Sequence, residues 1–478
     1  MSNVVAPVDL ECSPERMRAM ADEVVSRCIA HISSLDGQPA CGDVNAADLC
    51  RSMREAAPEQ GVALEPLLDS LFRDWIPRSF TAPHAGYLAF IPGGGIYPAA
   101  LADFIADTTN RYTGVWQAAP ALVQLEANAL DWLRDWMGFP PEARGLFTSG
   151  GSMATFNAIV CGRERYLGAE IRRGVLYTSD QAHHSVLKSA KLAGVMPDRV
   201  RPIASDDRFR LRVDQLEAAI AADRRAGLTP FAVVSSAGTT NTGAVDPLDA
   251  VQDVCERESL WHHIDGAYGA FFYLDDSLRG TLRGLPRADS LTLDPHKGMF
   301  LPYGTGALLV RDGAALRAAH EATADYLPAM PHPGDFYDPS QHGPELSRGF
   351  PGLRVWLSVK LFGAAAFRDQ IVEKRALTLD AWRRVAALPG IVIDAEPDLS
   401  LFAFHLTWPG ASLAEEDRAT RALMQKTSQR GRVMVTGCTA HGRALGRVCV
   451  LSFRTHQQQI DALIEDMAAA IEDIRNHG

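Results

Sequence analysis

Four stretches of this chain carry side chains whose types and spacing suit chemistry. Thr148-Ser149-Gly150-Gly151-Ser152, ahead of the helical stretch Met153 to Tyr166, joins glycines that let backbone approach a ligand to a hydroxyl at a helix start. Together these make a phosphate cradle. Taken alone, the stretch reads more readily as a glycine-rich turn with a serine N-cap, and it is neither a P-loop nor G-x-G-x-x-G. Trp261-His262-His263-Ile264-Asp265-Gly266-Ala267 reads as a strand end on which His263 and Asp265 share one face and His262 takes the other. A carboxylate there needs a positive partner or N–H donors. A metal ion, a protonated heterocyclic nitrogen of a cofactor, or a cap on the next turn would each serve, and this stretch does not separate the three.

Leu293-Asp294-Pro295-His296-Lys297-Gly298 sets a lysine between a proline and the apolar run Met299-Phe300-Leu301. Desolvation turns a lysine into a nucleophilic amine able to form a Schiff base. A snorkelling lysine on a loop fits the pattern as well. Asp180-Gln181-Ala182-His183-His184-Ser185 offers a histidine to stack on a planar ligand, although a satisfied histidine at a helix start is the more common outcome. The two His-His pairs invite zinc, but no stretch supplies a compact three-ligand set, so no metal is expected. In chain order, a phosphate cradle, a strand-end aspartate and a lysine 32 residues after it are what pyridoxal 5'-phosphate requires: a phosphate site, an acid for its ring nitrogen and an amine for its aldehyde.

The elements that must position these residues follow from hydrophobic patterning. Between about residues 81 and 375, amphipathic stretches (Ala119–Met137, Val213–Ala222, Leu248–Glu256) alternate with short apolar runs (Gly174–Tyr177, Phe231–Ser235, Leu260–Ile264, Gly306–Val310). Short apolar runs between helices predict strands buried on both faces, hence a mostly parallel α/β sheet with ligands at the carboxyl ends of its strands. Residues 1–80 read as a helical arm, broken around Gly37–Pro39 and Pro58–Gly61 and with little core of its own. Residues 376–478 read as a smaller α/β unit whose last helix aligns Ile460, Leu463, Ile464, Met467, Ile471 and Ile474 on one stripe.

Composition narrows the classes. With 478 residues, 47% of them hydrophobic and 22% charged, the chain is long and apolar enough to bury a large core. A net charge of −11 argues against a general nucleic-acid binder, which needs a basic face. No apolar run approaches the roughly 18 residues of a membrane span. The opening residues have no basic-then-apolar leader pattern, and the eight scattered cysteines read as reduced thiols. A soluble cytoplasmic enzyme, bound neither to nucleic acid nor to membrane, is expected.

The ordered motifs resemble the group II pyridoxal-phosphate-dependent amino-acid decarboxylases, in particular the aromatic-L-amino-acid decarboxylase branch. The matching stretches are S-G-G-S at 149–152, D-Q-A-H-H-S at 180–185, G-T-T at 238–240, W-H-H-I-D-G-A-Y at 261–268 and D-P-H-K at 294–297, with flanking matches from about His84 to Arg454. The resemblance implies the type I aminotransferase fold, pyridoxal 5'-phosphate as cofactor, and a homodimer with the active site at the subunit interface. It implies that Lys297 carries the cofactor and that Asp265 pairs with the pyridine nitrogen. His183 would stack on one ring face and Ala267 on the other. Gly151, Ser152 and His296 would hold the phosphate, and Thr240 would sit by Asp265 and the substrate carboxylate.

The resemblance also implies decarboxylation of an L-amino acid, with an aromatic one favoured, to the amine and carbon dioxide, with a loop tyrosine as the acid that protonates Cα. Matching Leu346, Arg348 and Trp356 puts Pro339 opposite that tyrosine; a small gap makes Tyr337 the acid, with Tyr326 the second candidate. Relatives lacking this tyrosine give aldehydes by oxidative deamination. The substrate side chain is expected near Phe90–Pro92 and, from the other subunit, Tyr112–Trp116. Phe90, Tyr112 and Trp116 suit an aromatic group, Arg111 would suit an acidic one if turned inward, and Gly93-Gly94-Gly95 would widen the pocket. The alternatives are an aldehyde synthase, a decarboxylase of a non-aromatic amino acid, and a non-catalytic protein that kept the fold; intact Lys297, Asp265 and His183 weigh against the last.

Overall fold

The computed structural model describes residues 10–322 and 335–477. Its centre is a seven-stranded sheet of β1 (Arg144–Thr148), β2 (Gly174–Ser179), β3 (Val200–Ile203), β4 (Thr229–Ser236), β5 (Trp261–Asp265), β6 (Ser290–Leu293) and β7 (Gly306–Val310), in the order β1-β7-β6-β5-β4-β2-β3. β7 alone runs antiparallel to its neighbours; β3, β2, β4, β5 and β6 pair in parallel. Alternation sorts each strand's side chains. Leu176, Ala232 and Val234 face the helices Gly151–Tyr166 and Ser185–Leu192. Val175, Tyr177 and Val233 face Val213–Arg225 and Leu248–Glu258. The expected runs are strands and the expected amphipathic stretches are helices, with boundaries moved by a few residues. This mostly parallel sheet with helices on both faces is the architecture that the resemblance implies.

The parallel pairing brings strand ends into register. Ser236 sits opposite Asp265, and Asp265 opposite Thr292. The turns after β1, β2, β4, β5 and β6 therefore open on one edge of the sheet, and all four chemical motifs lie on those turns.

The C-terminal unit combines strands and helices as expected. Its sheet, in the order β10-β11-β9-β8, is antiparallel throughout: β8 (Ile391–Val392), β9 (Leu401–Leu406), β10 (Thr436–Ala440) and β11 (Arg443–Cys449). The helices Leu413–Gln429 and Gln457–His477 bury Leu423, Ile460, Leu463, Met467 and Ile471 against it. Short hairpin connections such as Ala440 to Arg443 dictate antiparallel pairing, because a parallel neighbour needs a crossover. The helical run Gly352–Ala386 crosses the expected boundary at 375 and is broken at Gly363 (φ 79°, ψ 155°). The N-terminal arm is less helical than its pattern suggested. Helix occupies Pro14–Ser33, Ala47–Ser52 and Leu64–Trp75, the last ending in a π turn, while 38–46 and 53–63 form none. Among the described residues no helix is long and apolar enough to cross a membrane.

Candidate active site

A cleft of about 400 Å³ opens at the strand ends and is lined by Gly151, Ser152, His183, Thr240, Asp265, Ala267, His296 and Lys297. They arrive on five turns, after β1, β2, β4, β5 and β6, so residues up to 146 positions apart in sequence meet through sheet order. Lys297 sits on the single helical turn Pro295–Gly298 after β6, and its Nζ lies 2.8 Å from Asp294 Oδ2. Asp265 ends β5, and its Oδ1 accepts the Ala267 N–H at 3.2 Å. Gly151 opens the helix Gly151–Tyr166, whose first N–H groups have no helical acceptor. A Cβ on Gly151 would stand 2.9 Å from Ala267 Cβ and 3.2 Å from Asp294 Oδ2, so glycine keeps this cradle open.

Hydrogen bonds fix the histidine tautomers. The Ser185 hydroxyl (2.7 Å) and backbone N–H (3.3 Å) both meet His183 Nδ1, which must accept the N–H and so leaves the ring proton on Nε2. Burial lowers the His183 pKa, opposed by nearby Asp265. His296 Nδ1 donates to the Thr305 carbonyl at 2.8 Å, and burial lowers this pKa too. The pair on β5 is different. His262 bonds Ser235 Oγ and Gln252 Oε1, both at 2.7 Å, and His263 bonds Ser290 Oγ (2.9 Å) and Thr292 Oγ1 (3.1 Å). Both rings are fully buried, with pKa values pushed down to about 3 and about 4. They are neutral core histidines behind the cleft wall.

The expected substrate-side residues lie elsewhere. Phe90, at φ 53°, is 47% exposed and its N–H donates to Thr436 Oγ1 at 3.3 Å. Pro92 is buried and Tyr112 exposed, and neither lines the Lys297 cleft. Tyr337 lines separate cavities beside Arg144 and Asp335, its ring 4.8 Å from that of His342, and burial followed by Glu126 pushes its phenol pKa up. Within one chain Tyr337 does not line the cleft, because its ring is packed beside His342 and against the main core. Tyr326 lies outside the described residues. Tyr112 donates from its hydroxyl to the Leu346 carbonyl (3.4 Å), and Trp116 stacks on Phe336 at 4.6 Å. The buried pair Arg348–Glu126 (2.5 Å) ties the two segments together. Arg348 also donates to the Thr113 carbonyl, and Glu126 Oε2 accepts the Gly352 N–H.

Three features were not read from the sequence. Asp294 lines the cleft as a buried acid; its place three residues before Lys297 on a helical turn was the available signal. Tyr268 and the Gly238-Thr239 turn also line it, the latter marked only as part of G-T-T. Gly93 does not widen a pocket: a Cβ there would fall 2.0 Å from the His296 carbonyl oxygen, so glycine is required by close backbone approach. The residues present fit pyridoxal 5'-phosphate. A cradle held open by a missing Cβ suits a phosphate, an amine on the cleft wall suits an aldehyde, and a strand-end carboxylate suits a protonated ring nitrogen.

Comparison with known proteins agrees with this geometry. A family model described as "Pyridoxal-dependent decarboxylase conserved domain" matches residues 48–407. The aromatic-L-amino-acid decarboxylase of Bacillus atrophaeus is 33% identical over 469 residues, covering 98% of each chain. In fold, the chain matches the crystal structure of Oryza sativa TDC with PLP and tryptamine (TM-score 0.92, 24% identity, 98% of this chain and 100% of that one). It also matches Rhodiola rosea 4-hydroxyphenylacetaldehyde synthase (TM-score 0.89, 22% identity, 97% and 99% covered).

Proposed function

The chain belongs to the pyridoxal-dependent decarboxylase family, and on that premise we propose that it removes the α-carboxylate of an aromatic L-amino acid, giving the amine and carbon dioxide. It is a pyridoxal-phosphate-dependent amino-acid decarboxylase; the aromatic substrate and the residue roles are what the proposal adds. The observation that carries it is the single cleft in which Lys297, Asp265 and the Gly151 cradle face one another. The aromatic choice rests on the similarity to the Bacillus atrophaeus enzyme.

When bound, the cofactor supplies an electron sink for the pair left on Cα as the carboxylate departs. Lys297 would carry the cofactor by its aldehyde. Asp265 would keep the ring nitrogen protonated, a paired charge in a partly buried site. Gly151, Ser152 and His296 would hold the phosphate, with the helix N-terminus adding favourable field. His183 and Ala267 would close on the two ring faces, His183 offering its Nε2–H toward the cleft. Thr240 would sit by Asp265 and the substrate carboxylate.

The substrate half of the site is proposed to need a second copy of the chain. The arm helix Pro14–Ser33 buries none of its residues and exposes Met17, Met20, Val24, Val25 and Ile29, an apolar stripe suited to a homodimer. In that dimer Phe90, Pro92 and Tyr112 would frame the side-chain pocket, and Tyr337 would deliver the Cα proton to the cleft of the other subunit. The division into an arm (1–80), a cofactor domain (81–375) and a C-terminal domain (376–478), and a cytoplasmic location, belong to the same reading; the unpaired cysteines suit the latter. The second reading is an aldehyde synthase. It would hold if Tyr337, which does not line the cleft of its own chain, did not reach that of the other subunit either.

The test is a mass-spectrometric product assay with pyridoxal phosphate, air and a panel of the twenty amino acids plus L-DOPA and 5-hydroxytryptophan. An aromatic amine as main product is expected. An aldehyde would move the chain to the oxidative reading, and an amine from a non-aromatic substrate would overturn the aromatic one.

A further inference from the structure

One side chain on the cleft wall reaches into the C-terminal unit and has been given no role. Tyr268 lines the cleft and is 3% exposed. Its hydroxyl accepts the Ser400 N–H at 2.8 Å and shares a second hydrogen bond with Ser400 Oγ at 2.9 Å. Resting on the decarboxylase reading of this cleft, we propose that Tyr268 is a positioning residue. Through its hydroxyl, the C-terminal unit fixes the Gly238-Thr239-Thr240 turn and so the group that would meet the substrate's α-carboxylate.

The ring and the turn fit without slack. A Cβ on Gly238 would fall 2.6 Å from Tyr268 Cδ1 and 2.8 Å from Leu399 Cδ1, so the turn lies directly on the tyrosine ring and on the residue before Ser400. Gly238 sits at φ 95°, which a residue with a Cβ would not adopt without strain. A Cβ on Gly269 would run into the Ala237 carbonyl oxygen, so the backbone just past Tyr268 also touches the start of the turn. Phe272 meets the ring edge-on at 5.8 Å. A displaced hydroxyl therefore displaces the ring, and the ring displaces the turn. The far end of the tie is firm. Leu399 and Ser400 are fully buried, Arg375 donates to the Leu399 carbonyl at 2.6 Å, and the Ser400 carbonyl accepts the Val450 N–H at 2.9 Å. Burial raises the Tyr268 phenol well above its ordinary range, so it keeps its proton and both bonds. The same unit grips the turn's other end, where Arg447 Nε on β11 donates to the Asn241 carbonyl at 2.9 Å. Asp265 is held otherwise, by its register with Ser236 and Thr292 inside the large sheet. Cofactor contacts thus stand on the sheet, and the carboxylate contact stands on the joint between the two units.

The experiment compares Tyr268→Phe with the wild-type holoenzyme. The variant keeps the ring under Gly238 and deletes the tie to Ser400. The probes are the aromatic L-amino acid that gives most amine in the product assay and that amine itself, which differs only in lacking the carboxylate. For the amino acid, kcat/KM should fall about 100-fold, the effect of a misplacement of roughly 1 Å. The inhibition constant of the amine should change by less than about twofold, with the visible absorbance of the bound cofactor unchanged. A tyrosine that only stabilised the fold would weaken both ligands alike, or neither. Ser400→Ala removes one of the two bonds and should give a smaller loss of the same selectivity; it carries the test should the Phe variant not fold. Equal losses for acid and amine, no loss for either, or a lost cofactor absorbance would each overturn the proposal. A wild type that makes no amine from any aromatic amino acid would instead refute the decarboxylase reading, and the proposal with it.

Discussion

The two halves of this active site are built in opposite ways. On the proposed roles, the cofactor half stands on strand ends of one sheet, in register and backed by the fully buried His262 and His263. The proposed substrate half is scattered and partly exposed: Phe90 lies against Phe80 and Tyr87, while Tyr112 and the segment around Tyr337 are held near Arg348–Glu126. Rigid sheet ends suit a chemistry common to many substrates. A segment held by a few specific contacts suits the part that distinguishes one substrate, or one product, from another.

Five measurements would break or sharpen that contrast. Lys297→Ala should remove the visible absorbance of the bound cofactor and lower turnover at least about a thousandfold; retained activity would sink the cofactor half as drawn. Asp265→Asn should keep the absorbance, because Lys297 remains, yet lose turnover by roughly 10²–10⁴-fold. Arg348→Met leaves Glu126 buried and unpaired, so unfolding in urea should come earlier by about 3–5 kcal/mol with cofactor absorbance retained. Loss of the cofactor together with stability would show the halves to be one unit. Tyr337→Phe should shift the amine-to-aldehyde ratio at least about tenfold, or 1.4 kcal/mol, toward aldehyde; an unchanged ratio would place the acid elsewhere.

The smallest effect concerns pH. His262 and His263 titrate at about 3 and about 4 when folded, against an ordinary 6.5. Below about pH 6.5 the unfolded chain therefore binds protons that the folded chain refuses. Their contribution to stability is present above that value and is lost as pH falls toward 4, by about 1.4 kcal/mol per pH unit for each histidine. Urea midpoints at pH 7 and pH 5 read this directly, and His262→Gln should flatten the slope. No difference between wild type and variant would mean that the pair is not held neutral.

The same division governs what the sequence could reveal. Gly306–Val310 was read residue for residue because a short apolar run buried on both faces has one common outcome. Lys297 and Asp265 drew attention because strand ends point to where ligands sit, and both line the same cleft. Asp294 was not, since a carboxylate before a lysine on a helical turn looks like any local ion pair until Gly151, more than a hundred residues away, is seen beside it. Gly93 was misread as pocket space because a glycine says that a side chain is excluded, not what excludes it. The arm was expected to be helical with short breaks around Gly37–Pro39 and Pro58–Gly61, and those breaks widen to 38–46 and 53–63. The first is held without helix by contacts from distant residues, such as the Ala40 N–H on the Gly431 carbonyl and the Thr81 hydroxyl on the Pro39 carbonyl, which a local pattern does not reveal.

The approach of Gly93 to the His296 carbonyl has a consequence for anyone redesigning this enzyme. The loop that begins at Phe90 invites enlargement or reshaping to accept new substrates. Any side chain added at Gly93 would press on the turn that carries Lys297. A library that varies this position would thus perturb cofactor loading before it altered selectivity, and hits lost there would be misjudged as failures of substrate fit. Diversity placed at Tyr112, which shares no such contact, leaves the lysine turn undisturbed.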